Sequence, residues 1–167
     1  SDTLALASTN WNRNASVSQW DPASFGVTAA DLVSVTIKVT GTVNGDIAVE
    51  SLDAAPAAVS YQIAATMNFS GPGGANGLVL PVANGVFNAT AWDGNTDFGG
   101  TSGASFTGLT NTQFNSASPF IFAPYIGTGN VLVNVIATGS SGGSGAGNLI
   151  QQFSTDASAL VEITYVW

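Results

Sequence analysis

Asp93, Asn95 and Asp97 alternate along one short segment and form the most regular set of oxygen ligands in the chain. A hard cation such as calcium takes clustered carboxylate and carbonyl oxygens, and the glycines just downstream, Gly99 and Gly100, free backbone carbonyls to join. The EF-hand pattern is absent, because glycine is not at the sixth position and no glutamate stands at the twelfth. The same residue types also build Asx turns, in which each side chain accepts a hydrogen bond from its own backbone. Calcium as a cofactor and a self-satisfied loop are both open at this point. Glu50 and Asp53 form a second acidic pair. Two carboxylates facing each other about 5–9 Å apart across a sugar can hydrolyse a glycosidic bond. This pair lies in a turn-like segment shortly before Pro56, so it is expected to sit on a solvated loop and accept backbone N–H groups. Tryptophan is bulky and mostly buried in β cores, but Trp11 and Trp20 flank a turn, where exposure would let an indole stack on a sugar ring. Trp92 joins this aromatic set, and Trp167 closes an alternating segment that points to core or interface.

Other chemistry is excluded by what is missing. The 167 residues contain no histidine, no cysteine, one lysine (Lys38) and one arginine (Arg13). The usual proton shuttle near neutral pH and the thiol nucleophile are therefore gone. Zinc, copper and haem sites lose their preferred ligands. The chain is read as a binding or structural protein and not as an enzyme. Its net charge of −8 offers nothing to neutralise phosphates, so nucleic acid is not an expected partner. Charged residues make up 7% against an ordinary ~25%, while the apolar share of 45% is that of a folded domain. Ser, Thr, Asn and Gly supply the polarity, a palette typical of β-rich proteins outside the cell. No apolar stretch reaches the ~20 residues of a membrane-spanning helix. Ser1 stands where an initiating methionine would, and is read as a processed terminus. Three N-x-S/T sequons, at Asn14, Asn68 and Asn88, are what chance supplies in such a composition.

The elements that must position these residues are strands. Val33, Val35, Ile37 and Val39 alternate with polar neighbours, as do Val59, Tyr61, Ile63, Ala65, Met67 and Phe69, and Ala159, Val161, Ile163, Tyr165 and Trp167. Period two marks half-buried strands over 33–39, 59–69 and 159–167. Shorter strands are expected over 3–7, 15–20, 43–50, 77–82, 86–92, 119–125 and 130–137. Asn44-Gly45-Asp46 should break or bulge its strand. Gly71-Pro72-Gly73-Gly74 and Asn84-Gly85 should turn the chain. Residues 139–147 read as a flexible Gly/Ser loop within the domain, and 28–32 as one helical turn capped by Thr28 or Asp31. About ten short strands imply one all-β domain over 1–167, an antiparallel β-sandwich of jelly-roll or Greek-key type.

Several segments in order and spacing resemble the choice-of-anchor E domain of secreted bacterial proteins. They are Thr9-Asn10-Trp11-Asn12, Gln19-Trp20-Asp21-Pro22, the run from Val49 to Pro56, the run from Asp93 to Gly103, Gly145-Ala146-Gly147-Asn148-Leu149, and Phe153-Ser154-Thr155. The resemblance spans nearly the whole chain. It implies export, display at the cell surface and an association with exopolysaccharide and biofilm matrix. Such proteins typically carry a C-terminal sorting tail of PEP-CTERM type, which this chain, ending at Trp167, does not show. The family implies no catalytic residues.

A sandwich also has edges, whose unpaired N–H and C=O groups natural monomers blunt with charge and proline. Lys38, on the polar face of its strand, discourages edge association there. Arg13 is placed in a polar turn. Thr3, Leu4, Ala5, Leu6, Ala7 and Ser8 form a short alternating segment without basic residues. It is either an edge strand paired within its own subunit or a donor strand that leaves it and completes a neighbour's sheet. Such head-to-tail contacts do not close, so they build a filament. The expected function is a secreted structural protein of the bacterial surface or matrix that polymerises by strand complementation. The alternative is a carbohydrate-binding or adhesive module.

Overall fold

Two-residue alternation produces ten strands in a computed structural model that describes residues 1–167. They are β1 (Asp2–Ser8), β2 (Trp11–Ser18), β3 (Ser34–Ser51), β4 (Ala57–Ser70), β5 (Asn76–Val79), β6 (Val82–Ala89), β7 (Gly103–Ala117), β8 (Asn130–Gly139), β9 (Gly142–Ser144) and β10 (Leu149–Val166). One sheet has the order β1-β10-β3-β7 and the other β2-β8-β4-β5, with β6 and β9 also paired to β4. All pairings are antiparallel. β5 and β6 follow the same side of β4 without a register shift, from Met67↔Val79 to Ala64↔Val82. Likewise β9 continues β8 along the other side. Merging those two pairs leaves the strand order 1-8-3-6 facing 2-7-4-5, which is a jelly roll.

The core lies between the sheets. Val35, Ile37, Val39, Val43, Ile47 and Val49 of β3 face inward, against Val59, Ile63, Met67 and Phe69 of β4 and Val131, Val133 and Val135 of β8. Ala157, Ala159 and Val161 of β10 complete the layer. β-branched residues fill it because their stiff side chains pack well on a pleated surface.

Several elements differ from expectation. Segments 33–39 and 43–50 are parts of one 18-residue strand, and 159–167 is the end of another. Gly45 stays within the ladder because a Cβ there would collide with the backbone oxygen of Ser154. The bulge belongs to the partner strand: Gly45 pairs with Leu109 and Ile47 with Phe106, so β7 carries the extra residue, with Gly108 at φ +64. Asp46 accepts the Gly108 N–H at 2.8 Å and fixes it. Segment 119–125 is not a strand. Pro119 and Pro124 remove ladder donors, and the chain makes a 3₁₀ turn at Ala123–Tyr125. Strand 86–92 shifts to Val82–Ala89, and 77–82 is cut at Leu80-Pro81. The 139–147 loop contains β9. β7 has no counterpart in the reading of the sequence, because the bulge at Gly108 breaks the alternation of its core-packed Phe106 and Leu109, and beyond it Asn111, Gln113 and Asn115 take the inward positions. A 3₁₀ turn does form at Ala29–Asp31, with Thr28 N and Oγ1 donating to the Asp31 carboxylate at 2.8 and 2.9 Å.

Two tyrosines tie elements together at one end of the sandwich. Tyr125 Oη donates to Pro72 O at 2.7 Å, and Tyr165 Oη donates to Ser18 O at 2.9 Å. Burial pushes each phenol up to about 12. The folded values exceed the unfolded value near 10, so the stability they contribute is intact below pH 10 and is lost as pH rises through 12. Alkaline unfolding followed by circular dichroism should therefore steepen between about pH 10 and 12. The double variant Tyr125→Phe/Tyr165→Phe should flatten that limb.

Candidate functional site

Two regions concentrate the singled-out residues. The first is the rim formed by β1 and β2. β1 pairs with β10 through Asp2↔Val161, Thr3↔Leu160 and Leu4↔Ala159, then slips at a bulge to Ala7↔Ala157 and Ser8↔Asp156. Leu4 is its one buried side chain, while Leu6 is half exposed. The candidate donor segment Thr3–Ser8 thus lies within its own chain's sheet, as an edge strand. Thr9 and Asn10 alone connect it to β2, which belongs to the opposite sheet. Asn10 takes φ +70, in the left-handed region that glycine and asparagine adopt most readily.

Charge secures this rim. Asp2 accepts Thr3 N and Ser16 N, both at 2.8 Å, so its carboxylate links β1 to β2. Arg13 lies within strand β2 and not in a turn. It donates Nη1 to Ala5 O at 3.0 Å and rests over the Trp11 ring at 5.2 Å. Ser8 Oγ donates to Asp156 at 3.0 Å. The roles of Asp2 and Arg13 were not legible beforehand. The signal was that the chain's single arginine stands near its most weakly anchored strand. Lys38 sits on an interior strand, so it guards no edge. It pairs with Glu162 at 3.4 Å and lies 5.2 Å from the Phe114 ring.

The second region is one end of the sandwich, where three of the segments quoted for the family resemblance converge. Strand alternation puts Glu50 on the outer face of β3, but the loop between β6 and β7 folds over it and buries it. The expectation of a solvated Glu50 is therefore corrected. Its carboxylate accepts Phe98 N at 2.7 Å and the Ser102 hydroxyl at 3.3 Å, and Ser102 is itself buried. Phe98 takes φ +55 at this anchor. Asp53 accepts Gly147 N at 2.7 Å and Asn148 N at 2.9 Å, tying down the loop between β9 and β10. Glu50 and Asp53 hold different loops and face no common cleft. Asp93 accepts Asn95 N at 3.0 Å, and Asp97 accepts Gly99 N at 2.8 Å. Asn95 offers its carbonyl oxygen to Trp92 Nε1 at 3.0 Å. The Asp93 and Asp97 bonds are the turn bonds that Asx residues make. Nowhere do three acidic side chains gather as a cation cage.

Of the two alternatives for Trp11 and Trp20, burial in the β core is the one found. Trp11 is 8% exposed, on the inward register of β2 with Ala15 and Val17, and Trp20, 3% exposed, lies beyond that strand and is held inside by a bridge to Ile126. Neither ring can serve as an open platform. Phe25 and Trp167 take that place, 55% and 47% exposed, with ring centroids 4.7 Å apart. Trp20 lies behind Trp167 at 5.5 Å. The pocket there holds about 370 Å³ and is bordered by Gln19, Asp21 and Ser24. A larger, shallow groove of about 510 Å³ crosses the outer face over β9, β4 and β6, lined by Ser60, Gln62, Asn84 and Ser144.

Comparison with protein-family models, with curated proteins and with solved structures finds no match to this chain.

Removing the Glu50 acceptor would leave the half-buried Phe98 N–H and the buried Ser102 O–H unpaired. Glu50→Ala should cost about 2–3 kcal/mol in urea unfolding. Glu50→Gln, which keeps one acceptor oxygen, should cost less.

Proposed function

We propose that this chain is a structural protein that assembles with copies of itself, by exchanging β1 into the equivalent position on a neighbour. The observation that carries this reading is how β1 is held. It is an edge strand with one buried side chain, Leu4, and a two-residue hinge containing a left-handed Asn10. Burying one leucine contributes about 1.5–3 kcal/mol, which is little to hold a strand in place. A short hinge favours exchange of the element it connects. The row left open on β10, Ala157, Ala159 and Val161, already fits this strand, and the neighbour's Arg13 and Ser16 can remake the rim bonds. Exchange thus conserves the contacts of β1. Each copy gives one strand and receives one at a different place, so the contact propagates as a filament.

The composition and the resemblance to choice-of-anchor E domains support a site of action outside the cell, at the bacterial surface or in an exopolysaccharide matrix. No helix is long and apolar enough to cross a membrane. Nothing in the geometry needs a catalytic group.

Imaging decides the matter. The intact chain at high concentration should form filaments by electron microscopy. A variant lacking residues 1–8 should form none, and a synthetic peptide of residues 1–8 should bind the truncated protein. Filaments unchanged by the deletion, or a strictly monomeric intact chain, would refute strand exchange.

A second reading, carbohydrate binding, is favoured by the exposed Phe25–Trp167 pair. Its tilted rings beside amide, hydroxyl and carboxylate groups match what a pyranose presents, an apolar C–H face with a polar rim. A glycan array should show binding that Trp167→Ala reduces at least tenfold. An array without signal removes this reading and leaves the structural one in place.

A further inference from the structure

The two rims of the β1-β10-β3-β7 sheet are protected very differently. On the β1 side, Asp2 caps the Thr3 and Ser16 N–H groups and Arg13 caps the Ala5 carbonyl. The opposite rim is β7, and no charged residue occurs anywhere from Phe98 to Thr155. β7 also lacks proline. Its bulge at Gly108 interrupts the first part, but Leu109–Ala117 runs in unbroken register against β3. Within that stretch no residue makes a backbone–backbone bond outside the β3 ladder. The single side-chain cap is Asn115 Oδ1 on Ser116 N at 2.7 Å. That bond identifies the even-numbered residues as those whose backbone groups point away from β3, since the two directions alternate along an antiparallel strand. Thr110, Thr112 and Phe114 therefore present an open row of donors and acceptors. Natural proteins close such rows with charge, proline or bulges. This one is left open over a long straight stretch.

We infer that β7 is a second self-association surface, and that its occupant is β7 of another copy, paired antiparallel about a two-fold axis near Gln113. Two arguments select that partner. Copies of net charge −8 repel one another, and this strand lies in a charge-free stretch, so like charges are kept from the contact. The β1 rim cannot be the partner without losing its Asp2 and Arg13 caps. A two-fold pairing also matches the parity of the open groups. It sets Thr112 opposite Phe114 and Thr110 opposite Ser116, so every outward residue meets an outward residue. Gln113 then faces its own copy across the axis. Phe114, 66% exposed, covers the partner's Thr112, and the sheet continues across both copies. The contact is isologous and closes as a dimer. It does not rest on exchange of β1, and it would join two filaments side by side if exchange occurs.

The chain has no cysteine, which makes introduced thiols clean reporters. Gln113→Cys should form a covalent dimer under mild oxidation, because directly opposed residues of a non-hydrogen-bonded pair lie about 4.5 Å apart at Cα. Ser16→Cys, on the capped rim, should stay monomeric. Adding Thr112→Lys to Gln113→Cys should reduce cross-linking at least tenfold. Strand exchange is tested separately by locking β1 with Thr3→Cys/Leu160→Cys, whose positions are register partners. Sedimentation of the oxidised, locked protein should still show a concentration-dependent dimer that Thr112→Lys abolishes. A locked protein that stays monomeric, or a dimer indifferent to Thr112→Lys, overturns the β7 contact. Filaments from the unlocked chain would, in that event, leave the exchange reading intact.

Discussion

With two basic side chains set against ten acids, this fold has almost no ion pairs available, and its carboxylates turn to the backbone instead. Asp2, Asp21, Asp31, Asp46, Glu50, Asp53, Asp93 and Asp97 each accept at least one main-chain N–H. Of the remaining two, Asp156 accepts a serine hydroxyl and Glu162 pairs with Lys38. Hydrogen bonds to an ionised acceptor are stronger than neutral ones, and an exposed salt bridge contributes little in any case. A handful of well-placed acids can therefore do for loops what cores do for strands.

Their positions follow from where the ladder ends. Inside the sheets, backbone groups satisfy one another and the core of valine, isoleucine and alanine supplies the packing. At loops, bulges and rims those groups lose their partners. Asp46 stands at the β7 bulge, Asp2 at the β1 rim, and Asp53 and Glu50 where three loops meet. The three segments that gather at that end carry most of the acids outside the strands. Their shared features read as loop anchoring, which accounts for acidic residues there without any bound substrate.

The fold itself was largely legible. Alternation located the long inner strands, and the scarcity of helical patterning left a sandwich as the natural outcome. Legibility failed where one face is not apolar. β7 pairs with β3 over most of its length, yet Asn111, Gln113 and Asn115 occupy its inward positions, because an edge strand overhangs the core. The opposite error occurred at 119–125, where apolar residues suggested a strand that Pro119 and Pro124 prevent. The prospective sites fared similarly. Glu50 was recognised as noteworthy, but its burial depends on a loop some fifty residues away in sequence. For Trp11 and Trp20 a nearby turn leaves exposure open beside burial, and the packing of the two sheets places them inside.

By itself, then, the amino-acid order determined the strand period, the inward-facing residues of the long strands, the poverty of charge and the exclusion of histidine and thiol chemistry. These are local properties, set by side-chain type and spacing of two. Tertiary structure alone decided which acids are buried, which aromatics meet solvent, and which rim of the sheet is capped while the other stays open. Each of those depends on what lies across a gap between distant segments, and alternation along one strand says which face a residue takes but not what will cover it.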